Sequence, residues 1–109
     1  MTPTDSFQEL IEQLRAGDNA AATEVFNRFA RRIVGLARQQ LHAALRSKVD
    51  PEDVLQSVFR SFFNRQREGR FAIENWDSLW GLLALITVRK CCTVATHFQA
   101  ALQGNPGKR

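Results

Sequence analysis

Four groups of side chains in this sequence could carry chemistry, and each points to a different kind. Asp50, Glu52 and Asp53 form an acidic cluster able in principle to hold a cation. A helix start explains them better, because carboxylates are stabilised at the positive end of a helix dipole. Cys91, Cys92 and His97 are the soft metal ligands. Zinc sites space their cysteines by two to four residues so that both sulfurs reach one ion, whereas adjacent side chains on a helix diverge by about 100°. The cysteines therefore read as small packing residues, and neither a metal nor a cofactor is expected.

The third group is Asp53, Gln56 and Arg60, with Ser57 beside them. They fall at i, i+3 and i+7, so a helix places them on one polar face. That face suits either solvent or a protein partner. Phe59 and Phe63 lie off opposite edges of the neighbouring apolar stripe, so either the core stripe is wide or one of them stays at the surface. Leaving a Phe exposed forgoes roughly 1.5–3 kcal/mol of burial, which a covering partner would recover.

In the fourth group, Arg70, Phe71, Asn75 and Trp76 precede a segment that carries Arg89 and Lys90. Aromatic faces near cations suit unstacked bases, worth about 1–3 kcal/mol per stacked base. The alternative is that Phe71, Ile73 and Trp76 tuck into a core. Packing is the expectation for Ile73 and Trp76, while both readings stay open for Phe71. A glycine-rich phosphate loop, a nucleophile elbow and a His-Glu-x-x-His pattern are all missing. The chemistry on offer is binding, and the chain is not expected to be an enzyme.

The elements that must position these groups are helices. The spacing predicts a first helix opened by a Ser6–Glu9 capping box and ended at Gly17. A second starts at Asp18 or Asn19 and runs unbroken to about Ser47, with Val25, Phe26, Phe29, Ile33, Leu36, Ala37, Leu41 and Leu45 as its apolar stripe. Arg28, Arg31, Arg32, Arg38 and Arg46 lie off or beside that stripe. The third has the clearest start, with Asp50 as N-cap, Pro51 at the first helical position, and a polar run from Asn64 into Gly69 at its end. A connection at 70–77 follows, and then a last helix from Ser78 to about Ala100, capped by Asn75 or Asp77. Its stripe is Leu79, Leu82, Leu83, Ile86, Val94 and Phe98. No period-two alternation suggests a strand, so the fold class is all-α: a small bundle of four helices, one short and three longer. The expected domain spans residues 1–102, with 103–109 the start of a flexible linker.

Composition agrees. The 109 residues suffice for one core, and 44% are apolar, as in globular chains. The formal charge of +4 favours an anionic partner without demanding one. No secretory signal is visible, and Arg89 and Lys90 stop the apolar run at 79–88 short of a membrane span. Adjacent cysteines suit a reducing compartment. A cytoplasmic chain with no membrane partner is expected.

Two stretches resemble a known family. The run Asp50-Pro51-Glu52-Asp53-Val54-Leu55-Gln56-Ser57-Val58-Phe59 resembles the Asp-x-Glu-Asp-hydrophobic-hydrophobic-Gln-x-x-Phe signature of region 2 in bacterial RNA polymerase sigma factors, above all the extracytoplasmic function (ECF) group. Leu79-Trp80-Gly81-Leu82-Leu83-Ala84-Leu85-Ile86 is similar to the segment that opens the family's DNA-reading helix, and Phe71 sits where the family has a loop Phe. Departures are Leu82 at the usual Trp, Thr87 at an Ala, Arg89 at a common Asn, and a longer loop. The resemblance implies core RNA polymerase and promoter DNA as partners, and it admits an anti-sigma factor. It implies that Asp53, Gln56, Ser57 and Arg60 contact the polymerase clamp coiled coil. It assigns Arg70, Phe71, Asn75, Arg89, Lys90, Thr93 and His97 to the melted non-template strand of the −10 element. Family members carry a second domain for the −35 element, so the resemblance also implies that this chain is a fragment of a longer protein. A helical protein-interaction module without promoter recognition is the rival reading.

Overall fold

The computed structural model describes residues 3–41, 48–69 and 72–103. They form four helices: α1 (Pro3–Arg15), α2 (Asn19–Gln40), α3 (Pro51–Arg67) and α4 (Trp76–Gln103). The all-helical bundle expected from periodicity is what the chain adopts.

Local chemistry sets most of the helix ends. Gly17, at φ +85°, lets α1 close in a paired turn: its N–H donates to the Leu14 carbonyl at 3.0 Å and the Asp18 N–H donates to Gln13 at 2.9 Å. Asp18 then caps α2, its carboxylate accepting from the Ala20 and Ala21 N–H groups at 2.8 and 3.2 Å. Asp50 does the same for α3, accepting from Glu52 at 2.9 Å, with Pro51 following. Gly69, at φ +71°, ends α3 with its N–H on the Gln66 carbonyl. Asn75, rather than Asp77, caps α4, its side-chain oxygen accepting from Ser78 at 2.8 Å.

Three boundaries differ from expectation. Helix α1 starts at Pro3, so Ser6 lies within it and does not cap it; proline at a first helical turn forfeits no hydrogen bond and extends the helix upstream. Helix α2 stops at Gln40, where Leu41 turns extended (φ −90°, ψ 128°) and buries its side chain. The expected continuation through Leu45 and Arg46 falls outside the described residues. Helix α4 begins at Trp76 and includes Gln103, one residue past the expected domain end; residues 104–109 are outside the described residues.

The core lies where α2, α3 and α4 meet, and α1 packs on α2 and α3. Val25, Ile33 and Ala37 of α2 face Val58 and Phe62 of α3 and Leu79 and Leu83 of α4, all essentially without solvent exposure. Phe7, Leu10, Ile11 and Leu14 close it from the α1 side. Phe59 and Phe63 share one wide apolar stripe, one of the two arrangements their spacing left open. Phe59 is buried, and Phe63 stacks on it at 5.5 Å while staying half-buried. Ile73 is buried and Trp76 half-buried, as expected.

The segment Trp76–Phe98 has a mean hydropathy of 1.4 and is long enough to cross a bilayer by length and composition. The stretch is more apolar than the 79–88 run suggested, because Cys91, Cys92, Val94 and Phe98 continue it past Arg89 and Lys90. Here its Leu79, Leu83, Ile86 and Cys91 edge forms one wall of the bundle core.

Candidate nucleic-acid and protein interface

Helix α3 divides its length between two faces. Val54, Leu55, Val58, Phe59 and Phe62 point into the core, which leaves Asp53, Gln56 and Arg60 exposed and Ser57 at the margin. Asp53, Gln56 and Arg60 have no side-chain hydrogen bond or ion pair among the described residues. A carboxylate, a carboxamide and a guanidinium thus stand in a row along about two turns of a rigid helix, their donors and acceptors turned to solvent.

Helix α4 presents a different surface. Arg89 is exposed, Lys90 half-buried, and Thr93 exposed with its hydroxyl donating to the Arg89 carbonyl at 3.0 Å. These three line a groove of about 230 Å³ between α3 and α4. Its apolar floor is Leu82, Leu85 and Ile86, and Ser61 and Arg65 come from α3. Leu85 is 50% exposed, the large apolar side chain left open among the described residues. Among the described residues three cations and no carboxylate border the groove, an arrangement that favours an anion with an apolar or flat face. His97 is exposed one turn beyond Thr93, on a shallow surface shared with Cys92 and Thr96.

Of the other expected site residues, Asn75 is exposed, with its side-chain oxygen engaged as the α4 cap. Arg70 and Phe71 fall outside the described residues. Ile73 is buried, and the Gln8 amide donates to the Glu74 carbonyl at 3.4 Å.

Sequence reasoning missed the seam between α2 and α4. The Arg28 guanidinium lies 3.9 Å over the Trp76 ring and that of Arg32 lies 4.0 Å over Trp80. Below them, Trp80 stacks on Phe29 at 5.9 Å and Trp76 meets Phe7 edge-on at 4.9 Å. Each arginine–indole contact contributes about 0.5–1 kcal/mol at such exposed positions. The signal was present: both pairs are spaced i, i+4, so two arginines one turn apart meet two tryptophans one turn apart. Arg65 was missed too, because α3 alone says nothing of what α4 brings beside it.

The cysteines are divided by the helix. Cys91 is buried and Cys92 exposed, and burial, with the neighbouring Cys92 second, pushes the Cys91 thiol above its ordinary pKa. Among the described residues no group of three or more His, Cys, Asp or Glu side chains is placed to hold a metal ion.

A family model described as ECF sigma factor matches residues 4–104. The chain belongs to the ECF sigma factor family. No curated protein and no solved structure matches it. ECF sigma factors act in transcription initiation, through core RNA polymerase and promoter DNA, as regulators and not as enzymes. The expectation drawn from the Asp50–Phe59 signature therefore holds at the level of family. In this ECF sigma factor, α3 is the helix that carries the signature, and α4 is the one that carries the Leu79–Ile86 segment.

Proposed function

We propose that this ECF sigma factor chain is a region 2 module that joins core polymerase to the melted −10 element, in the cytoplasm and without a chemical step. Asp53, Gln56, Ser57 and Arg60 on α3 dock on the clamp coiled coil. Arg70, Phe71 and Asn75 of the loop, with Arg89, Lys90, Thr93 and His97 of α4, receive the non-template strand. The working domain is the expected 1–102 span carried to the end of α4 at Gln103, with a linker role for the residues after it.

The observation that carries this reading is the separation of two unlike surfaces on adjacent helices. One is a mixed acid, amide and guanidinium row without side-chain partners among the described residues. The other is a carboxylate-free groove bordered by Arg65, Arg89 and Lys90. A melted strand exposes base faces and phosphates together. Stacking contributes about 1–3 kcal/mol per base and phosphate contacts add a salt-dependent attraction, so binding energy alone can hold the open form.

The test is a pull-down of core polymerase with the chain, with and without a labelled −10 strand. Gln56→Ala and Asp53→Arg lower polymerase capture while helical content and melting stay nearly unchanged. Arg89→Glu and Lys90→Glu spare polymerase capture and weaken strand retention, most at low salt and less as rising salt lowers the parent's own affinity. Equal polymerase capture by the folded α3 variants would reject the docking assignment. Polymerase capture without any salt-dependent strand binding would favour a protein-interaction module.

A further inference from the structure

We infer that α2 carries a phosphate-binding row of its own, formed by Arg28 and Arg32 on the faces of Trp76 and Trp80, which takes the sugar–phosphate backbone of a nucleic-acid strand. It rests on the proposed strand-binding function and extends that surface onto a helix that lies outside the Asp50–Phe59 signature.

The geometry makes the two guanidinium groups ready for an anion. Each lies about 4 Å over an indole, at 3.9 Å for Arg28 and 4.0 Å for Arg32. Stacking occupies the flat face of a guanidinium and leaves its in-plane N–H donors directed outward, in the fork that matches phosphate oxygens. Both side chains are exposed, and neither makes a hydrogen bond or ion pair among the described residues. Stacking also limits their motion, so less freedom is lost on binding than for an unsupported surface arginine.

The charge around them is unbalanced. Arg31 is exposed one residue away, and like charges three and four residues apart on a helix oppose its formation. Glu24 precedes Arg28 by one turn without forming an ion pair with it. Asp77, on the first turn of α4, is the acid nearest the tryptophans in sequence. A bound anion would relieve this crowding.

Location selects the kind of anion. Trp76 directly follows Asn75, at the junction of the proposed strand-binding loop and α4. A strand held at Asn75 lies beside Trp76, under the Arg28 guanidinium, with Trp80 and Arg32 one turn further along the same seam. The two arginines sit four residues apart on α2, about 6 Å along the helix axis, a spacing that lets successive phosphates of one strand meet both.

The test is fluorescence anisotropy of a labelled single-stranded oligonucleotide titrated with the chain over a range of salt. R28Q/R32Q is expected to bind roughly tenfold more weakly, and to lower the slope of log affinity against log salt by about 1.4, from about 0.7 per phosphate contact. Base preference stays as in the parent chain. R28K/R32K keeps the charge and restores the salt slope. R15Q/K48Q removes the same charge from exposed positions elsewhere and leaves the slope nearly unchanged.

An unaltered R28Q/R32Q beside a weakened R89Q/K90Q would overturn this inference alone. A parent chain with no salt-dependent binding would remove both this inference and the strand-binding function. An equal effect of R15Q/K48Q would reduce the row to general charge, and a lysine variant with no restored slope would make the arginines structural. Lost polymerase capture with unchanged strand binding would make the row a protein-docking site, again overturning the inference.

Discussion

Replacing Gln66 by methionine is expected to stabilise the chain. Gln66 is 1% exposed near the end of α3, and neither its Nε2 nor its Oε1 has a hydrogen-bond partner among the described residues. It lies one turn beyond Phe62, on the edge of α3 that faces the core. In the unfolded chain water satisfies the amide; in the fold no group among the described residues replaces it. An unsatisfied buried polar group costs about 1–3 kcal/mol, and an apolar group of the same shape removes that cost. Methionine has nearly the same length and adapts to irregular space. The expected gain is therefore about 1–3 kcal/mol, and each kcal/mol should raise Tm by roughly 4–8 °C in a domain of this size. Thermal melting followed by circular dichroism, with urea unfolding at 25 °C, reads both quantities. Gln66→Glu is the companion variant, because it buries an unpaired carboxylate and should destabilise strongly at neutral pH. A Q66M chain that melts at or below the parent temperature would refute the reasoning, since the amide would then be making interactions worth more than its desolvation.

Four further outcomes are expected. Asp50→Ala removes the carboxylate that caps α3 and should cost about 0.5–2 kcal/mol, while Asp50→Asn should cost little; paired urea titrations compare them. Phe29→Ala deletes a side chain 2% exposed that touches Trp76 and Trp80, and should cost about 3–5 kcal/mol in the same assay, with a loss below 1 kcal/mol contradicting the packing described. In the native chain a thiol reagent should modify Cys92 readily and Cys91 only on unfolding. Because burial raises the folded Cys91 pKa above its ordinary 9.0, the native state keeps that proton longer than the unfolded state. Stability from this group is complete below pH 9 and falls as pH rises through the raised value. Denaturation at pH 8 and pH 10 should show a smaller fall in Cys91→Ala than in the parent chain.

Helix number, helix order and most helix ends follow from residues close together in the chain. Asp18, Asp50 and Asn75 satisfy N–H groups two or three positions ahead, and Gly17 and Gly69 adopt positive φ for turns that close within five residues. Such bonds are local, so the sequence alone displays them, and the Asp50–Phe59 signature was legible for the same reason. The polar run after Phe63 misled, since Gln66 belongs to the core row begun by Phe59 and Phe62 although its side chain is polar. Its burial, and the stacking of Phe63 on Phe59, depend on how closely neighbouring helices approach. The same holds for the two surfaces proposed to meet an anion. Arg65 joins Arg89 and Lys90 only because α3 and α4 pack side by side, and Arg28 and Arg32 find Trp76 and Trp80 across 48 positions of chain. Helical periodicity states which side chains share a face. What that face meets is decided by packing, because burial and electrostatic pairing act through space and carry no trace in the spacing of a single helix.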